Sequence, residues 1–256
     1  MKLALLLLLA SSAAAAAPSD PSPPPTTAAP AAAALPPAAF TKGPVREDAL
    51  RLSRLLAPED LYLQLMERSV VAGFDGAATD ELAAMDKQHP GVLDEVKAEL
   101  VKVMRDHSKL RMEAMHARYA RAIASHFGTA EVVQLAGFYE SRTGQKVIVG
   151  KFSGMDLSGV MDKLSESPNA PVTERDIRQL NRSAAKKIVP HLDTDDRAAL
   201  LHFMQLPAFS KLAQFRPTMI ALETQIAAEP DPELDQKIET AIASVMARIT
   251  VPGETS

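Results

Sequence analysis

The chain contains no cysteine and no tryptophan. Without cysteine there can be no disulfide framework, no thiolate metal site, no thiol nucleophile and no lipid-modified cysteine anchor. Aromatic residues make up only 4% of the 256 residues, so stacking platforms for single-stranded nucleic acid are not expected. The net charge is −4, which is not the basic balance that nucleic-acid binding draws on, and no nucleic-acid partner is assigned. No apolar run reaches the roughly 20 residues of a membrane-spanning helix. The longest, Leu3 to Ala10, is much shorter.

That short run belongs to an address. Met1 to Ala17 reads MKLALLLLLASSAAAAA: one Lys, an apolar stretch, then small residues. This is the order of a secretory signal peptide, with cleavage expected within Ala13–Ala17 because Pro18 disfavours the bond directly before it. The expected location is therefore periplasmic, after passage across the inner membrane, with no stable span left once the signal is removed. Residues 18–44 form the next block. Nine of these 27 residues are Pro and eight are Ala, and only Asp20 and Lys42 are charged. Proline removes backbone donors and favours extended polyproline II, so a disordered, semi-rigid linker is expected here.

From Val45 onward the apolar residues recur at helical spacing, and no stretch alternates with period two. The expected fold is all-α, a multi-helix array with a helical segment over 45–127 and a duplicated helical region over 128–250. Helices are expected at Val45–Ala57, Glu59–Val71 (broken by Gly73 and Gly76), Asp80–Gln88 capped by Thr79, and Val92–Phe127. Further helices follow at Ala130–Ser141, Gly144–Leu164 with a break near Ser153-Gly154, Thr173–Val189, Asp195–Leu206, Ala208–Ala228 and Glu233–Arg248. Ser165–Pro171 and Glu229–Pro232 read as linkers. Between Val96 and His126 stand seven Lys or Arg against three acids, a basic face that suits a solvated helix surface or an anionic partner.

Shifting the chain by 65 residues lays Tyr119–Lys146 over Ala184–Lys211 without a gap. Ile123 meets Ile188, His126 meets His191, and Thr129 meets Thr194. Glu131 then meets Asp196, Leu135 meets Leu200, Phe138 meets Phe203 and Lys146 meets Lys211. The repeat units span about 119–165 and 173–228. Thr129 and Thr194 stand where helix caps belong, and the acids two residues on suit the first turn. Gly144 in one copy and Pro207 in the other end or kink a helix at one place by different chemistry. Two such units can bury their apolar faces against each other.

The string FYESRTGQK, with leucines before it and a helical segment after it, resembles the signature of bacterial domain-of-unknown-function family 2059. Phe138, Tyr139, Ser141, Gly144, Gln145 and Lys146 carry the resemblance. It covers residues 127–162 well and 173–228 loosely, since the second copy keeps only Phe203 and Lys211. The resemblance implies an exported, mostly helical protein of Gram-negative bacteria. It implies no substrate, cofactor or catalytic residue.

The residues themselves offer little chemistry. Six His (His89, His107, His116, His126, His191 and His202) show no HExxH and no tight pairing. His126 and His191, equivalent in the repeat, would meet if the units pack about a twofold axis. Otherwise they sit at helix ends, where the dipole favours them. His107 falls in the apolar stripe and is expected to be half-buried and satisfied. Asp193, Asp195 and Asp196 form the densest acid cluster, which a helix first turn explains as well as a cation would. There is no GxSxG, SxxK or GxGxxG. The Met residues, among them Met104, Met112, Met115, Met155, Met161, Met204 and Met219, suit a core or a groove for apolar chains.

No catalytic, cofactor-binding or metal-binding residue is assigned, and no cofactor is expected. The leading expectation is a non-catalytic binding domain for an envelope protein or lipid. The alternatives are a hydrolase using the His126/His191 pair or the Asp193–Asp196 cluster, and a Met-lined lipid or chaperone-like carrier.

Overall fold

The computed structural model describes residues 40–76, 84, 86–157, 159–160, 163 and 173–250. The expected signal peptide, the linker up to residue 39, most of the helix expected at Asp80–Gln88 and the Ser165–Pro171 linker lie outside the described residues. The nine helices described here are α1 (Glu47–Leu56), α2 (Glu59–Gly76), α3 (Val92–His126), α4 (Thr129–Glu140), α5 (Arg142–Gly154), α6 (Glu174–Ile188), α7 (Thr194–Met204), α8 (Pro207–Ala228) and α9 (Pro232–Thr250). A 3₁₀ turn at Val189–His191 joins α6 to α7. No strand occurs among the described residues, and the fold is all-α.

The spine is α3. Its 35 residues make a rod of about 52 Å at the helical rise of ~1.5 Å per residue. Its buried positions, Val96, Leu100, Met104, Ser108, Met112, Met115, Tyr119 and Ile123, recur every three or four residues and form one long seam. Helices α1 and α2 run back along it, antiparallel. The pairs Arg46–Phe127, Arg54–Glu113, Lys109–Glu59 and Arg105–Glu67 mark that register. Helix α9 runs antiparallel along the first half of α3, tied at its ends by Asp231–His107 and Arg248–Glu95. Pro58 separates α1 from α2 without breaking their shared direction. Gly73 does not end α2 as expected. The helix carries on to Gly76, because a single interior glycine costs only about 1 kcal/mol and packing on α3 offsets it.

The linker reading also needs one correction at its end. Phe40, placed in the Pro/Ala segment by composition, is 2% exposed and part of the main core. Its carbonyl accepts from Arg121 at 3.2 Å, and the Gly43 carbonyl accepts from the same guanidinium at 2.9 Å. The linker is thus strapped to the C-terminal end of α3 by one aromatic plug and one arginine. Phe40→Ala is expected to cost about 3 kcal/mol, the lower end for a buried Phe truncation. An unchanged denaturation midpoint would show that Phe40 is not an anchor.

In the second half, α5 and α6 pack closely and antiparallel. A Cβ at Gly154 would lie 3.0 Å from the Ala184 Cα, so α5 ends where it approaches α6 backbone to backbone. Helix starts recur at the 65-residue offset: α4 at Thr129 and α7 at Thr194, α5 at Arg142 and α8 at Pro207. The two threonines are first helical residues, not caps as expected. The caps are Gly128 and Asp193, one residue earlier. Asp193 and Asp196 exchange backbone-to-side-chain hydrogen bonds in a full capping box, at 2.8 and 3.1 Å. At Gly128, which has no side chain to give, Glu131 supplies the return half at 2.9 Å.

Candidate functional site

A small cavity lies where α2, α3, α8 and α9 meet. Its volume is about 80 Å³, and its wall includes Tyr62, His107, Arg111, Met112, Met115, Arg118, Ile226, Glu229 and Asp231. The sequence builds it from two pieces. His107, Arg111 and Arg118 of α3 face the α8–α9 turn, and that turn brings two carboxylates, Glu229 and Asp231. Arg118 holds Glu229 with both terminal nitrogens at 2.8 Å, a bidentate fork. Arg111 and His107 share Asp231, with His107 Nε2 at 2.7 Å. His107 is 5% exposed. Burial pushes the Asp231 carboxyl up, but His107, the Leu234 backbone N–H and Arg111 together outweigh it and hold the group below the usual carboxylate range. An ionised Asp231 can only accept, so His107 Nε2 carries the proton that points at it. His107 Nδ1 and Arg118 Nε find no hydrogen-bond partner among the described residues. Two or three waters fit a polar cavity of this size.

The same view accounts for the basic face of α3. Arg105 pairs with Glu67, Lys109 with Glu59, Arg111 with Asp231 and Arg118 with Glu229. Arg121 donates to the Phe40 and Gly43 carbonyls, and Lys97 lies 5.5 Å from the Phe74 ring centre. Six of the seven cations are therefore engaged inside the chain, which is what a structural role for the face requires.

The other candidates are placed as follows. His126 stacks on Phe215 at 5.2 Å and meets Phe127 edge-on, and burial lowers its pKa. His191 is exposed on the 3₁₀ turn. The pair is thus held by different surroundings, one against aromatic rings and one in solvent. His116 is buried, with Nδ1 3.5 Å from the Ser53 hydroxyl, and desolvation lowers its pKa. His89 and His202 are exposed. Asp193 and Asp196 turn toward Lys146, and Thr143 donates to Asp196 at 2.9 Å. The Lys146 ammonium is the main reason that the buried Asp196 carboxyl sits far below the usual range. Asp195 is exposed. Among the described residues no group of three or more His, Asp or Glu is arranged to hold a metal ion. Met104, Met155 and Met219 are core residues, Met204 is half-buried, and Met161 lies outside the described residues. Only Met112 and Met115 reach the cavity, whose volume is far below the ~300–1,000 Å³ of pockets for drug-sized ligands.

Sequence reasoning missed the cavity's acids and the buried pair Lys151 and Glu223. Glu229 and Asp231 were visible only as a short linker. The one usable signal was the excess of arginine on α3, which called for carboxylates from elsewhere.

Residues 113–150 match the model of a bacterial family described as "Uncharacterized protein conserved in bacteria (DUF2059)". The match covers 38 of the 256 residues and says what this stretch is similar to. Comparison with curated proteins and with solved structures finds no match. The matched stretch takes in Met115 and Arg118 of the cavity, and the FYESRTGQK string forms the turn from α4 to α5. There Ser141 accepts from the Gly144 N–H at 3.1 Å and donates to the Phe138 carbonyl at 2.6 Å. Gln145 donates to the Tyr139 carbonyl at 2.6 Å, and Tyr139 is 1% exposed. Gly144 has no room for a side chain: a Cβ would stand 2.0 Å from the Phe138 oxygen and 2.6 Å from the Tyr139 Cα. Each residue that carries the DUF2059 resemblance thus locks one tight helix-to-helix turn, and Lys146 ties that turn to α7. Gly144→Ala is expected to cost about 3 kcal/mol, the upper end of ordinary overpacking, because backbone rather than a flexible side chain must move. A midpoint within error of the parent would contradict this.

Proposed function

We propose that this chain is an exported, non-catalytic helical domain that binds a component of the bacterial envelope, delivered by its leader and held off the membrane by the Pro/Ala tether. One observation carries the reading: the polar residues that would serve chemistry are occupied in building the fold. Asp193 and Asp196 cap α7 and answer Lys146, His107 answers Asp231, and His126 packs on Phe215. Three large apolar side chains also face solvent, Leu110, Val133 and Leu201 being 74%, 60% and 61% exposed. On this reading a partner covers these side chains. No described helix is long and apolar enough to cross a membrane.

The test has three parts. Intact mass of the protein from a cell envelope fraction reads the leader, with cleavage expected within Ala13–Ala17. Affinity capture from an envelope extract compares the parent with Val133→Glu and Leu201→Glu, two surface changes that spare the core. A set of proteins or lipids enriched by the parent and lost with a variant supports the reading. Identical capture by all three chains and by an unfolded control overturns it. The hydrolase alternative predicts stoichiometric metal or loss of phenotype in His126→Ala with His191→Ala.

A further inference from the structure

Contacts between the two halves of the chain are reciprocal. Lys146 on α5 pairs with Asp196 on α7, and Lys211 on α8 pairs with Glu131 on α4 at 2.6 Å. Under the 65-residue offset, Lys146 corresponds to Lys211 and Glu131 to Asp196. Each ion pair is therefore the other with its units exchanged. Phe138 and Phe203, which correspond to each other, stack face to face with ring centres 3.7 Å apart and planes within 10°. Equivalent residues touch each other only on a twofold axis, and non-equivalent ones then touch in exchanged pairs. The apolar contacts follow suit. Val147 of the first unit packs with Ile188 and Leu192 of the second, while Phe215 of the second packs on Phe127 and His126 of the first. Phe127 corresponds to Leu192 and His126 to His191, so each unit presents the end of its long helix to the last helix of the other.

We infer that residues 119–154 and 184–219 are two copies of one self-pairing module, closed on each other about a local twofold that passes through the Phe138–Phe203 stack. The face on α4 and α5 is then self-complementary, and the partner that it fits is a second copy of the same module. In this chain that partner is supplied in cis, so the pairing face is occupied and an outside partner must dock elsewhere. The inference concerns the pairing face alone and stands whatever the envelope ligand proves to be. Differences between the copies have a local cause. The first turns sharply with Ser141 and Gly144, whereas the second uses Pro207 at the first position of α8 and sets Phe209 against Phe203 at 5.2 Å.

The experiment uses the full chain. Residues 193–211 are replaced by the sequence of residues 128–146, so that one sequence fills both sides of the axis. A control carries the same insert displaced by one residue within the same window. The symmetrised chain is expected to remain monomeric and to unfold in one cooperative step, with a midpoint within about 10 °C of the parent. The displaced control is expected to lose that transition. A symmetrised chain as unfolded as the control overturns the inference. A second arm does not depend on tolerance of the insert. The chain has no cysteine, so Lys146→Cys with Asp196→Cys, and Glu131→Cys with Lys211→Cys, can each be treated with a short bis-maleimide. Both pairs are expected to cross-link within one chain and at similar rates. Cross-linking of one pair without the other also overturns it.

Discussion

Glu223→Leu is expected to cost about 3–5 kcal/mol and Lys151→Met much less, whereas the double variant recovers most of the loss. The two side chains are the least exposed charges among the described residues, at 0% and 1%. Lys151 comes from α5 and Glu223 from α8, and the carboxylate's charge acts on the ammonium. Taking either charge out of water is expensive, and only its counterpart offsets that expense. Removing Glu223 leaves the Lys151 ammonium uncompensated in a low-dielectric core, whereas Lys151→Met also removes a charge that burial disfavours. Removing both exchanges a costly pair for apolar packing of similar volume, which is often neutral or stabilising. Urea denaturation at neutral pH reads all three variants. A double variant no better than the worse single would show that the two charges do not depend on each other.

The same lysine makes the protein more stable in mild alkali. Burial pushes its pKa down from 10.5 to about 8, with Glu223 pulling the other way. In the unfolded chain the group keeps its ordinary value. Below pH 8 both states hold the proton, and the burial penalty is present in full. Between pH 8 and 10.5 the unfolded chain binds more protons than the folded one, so stability rises with pH through that window. Lys151→Met is expected to flatten this rise. The window is best read below pH 10, because Tyr62 and Tyr119 are buried with raised pKa and oppose it above that point.

How far the fold was legible depended on the range of the interaction. Helix starts at Thr129, Arg142, Thr194 and Pro207 follow from cap, proline and glycine chemistry within a few residues, and were readable to within one or two positions. The correspondence of Phe138 with Phe203 was readable because the 65-residue offset put two scarce aromatics in register, but that the two rings stack was not. The cavity was not. Arg118 and Glu229 are 111 residues apart, and His107 and Asp231 are 124 apart. No local rule joins an arginine-rich helix to a particular turn so far away. Phe40 was hidden for the opposite reason. Its neighbours are so rich in Pro and Ala that composition speaks for them all, while burial is decided by one ring finding a slot at the end of α3. Nothing local marks Lys151 as buried, since lysine is nearly always exposed. Only the placement of Glu223 from α8 makes its burial tolerable.

Phe203→Ala is expected to cost about 4–5 kcal/mol, and Phe138→Ala less, about 3 kcal/mol. The asymmetry comes from burial. Phe203 is 2% exposed and touches three aromatic rings, those of Phe138, Tyr139 and Phe209, whereas Phe138 is only partly buried at the edge of both core clusters. The sequence alone made them equal, since their positions correspond. Each truncation removes the same stack, so the double variant should fall short of the sum of the singles by about 0.5–1.5 kcal/mol, the worth of an aromatic pair beyond its buried area. Strict additivity would mean that the rings do not meet. Phe203→Leu sharpens the test, because it keeps most of the volume and loses the ring face. If the stack organises the axis, Phe203→Leu should cost more than a volume-conserving swap of <~1.5 kcal/mol, and Lys146–Asp196 and Lys211–Glu131 should weaken together. If Phe203 merely fills space, Leu should serve nearly as well and both ion pairs should stay intact. The Asp196 carboxyl is a convenient reporter, because Lys146 holds its pKa far below the usual range and a loosened axis would let it rise.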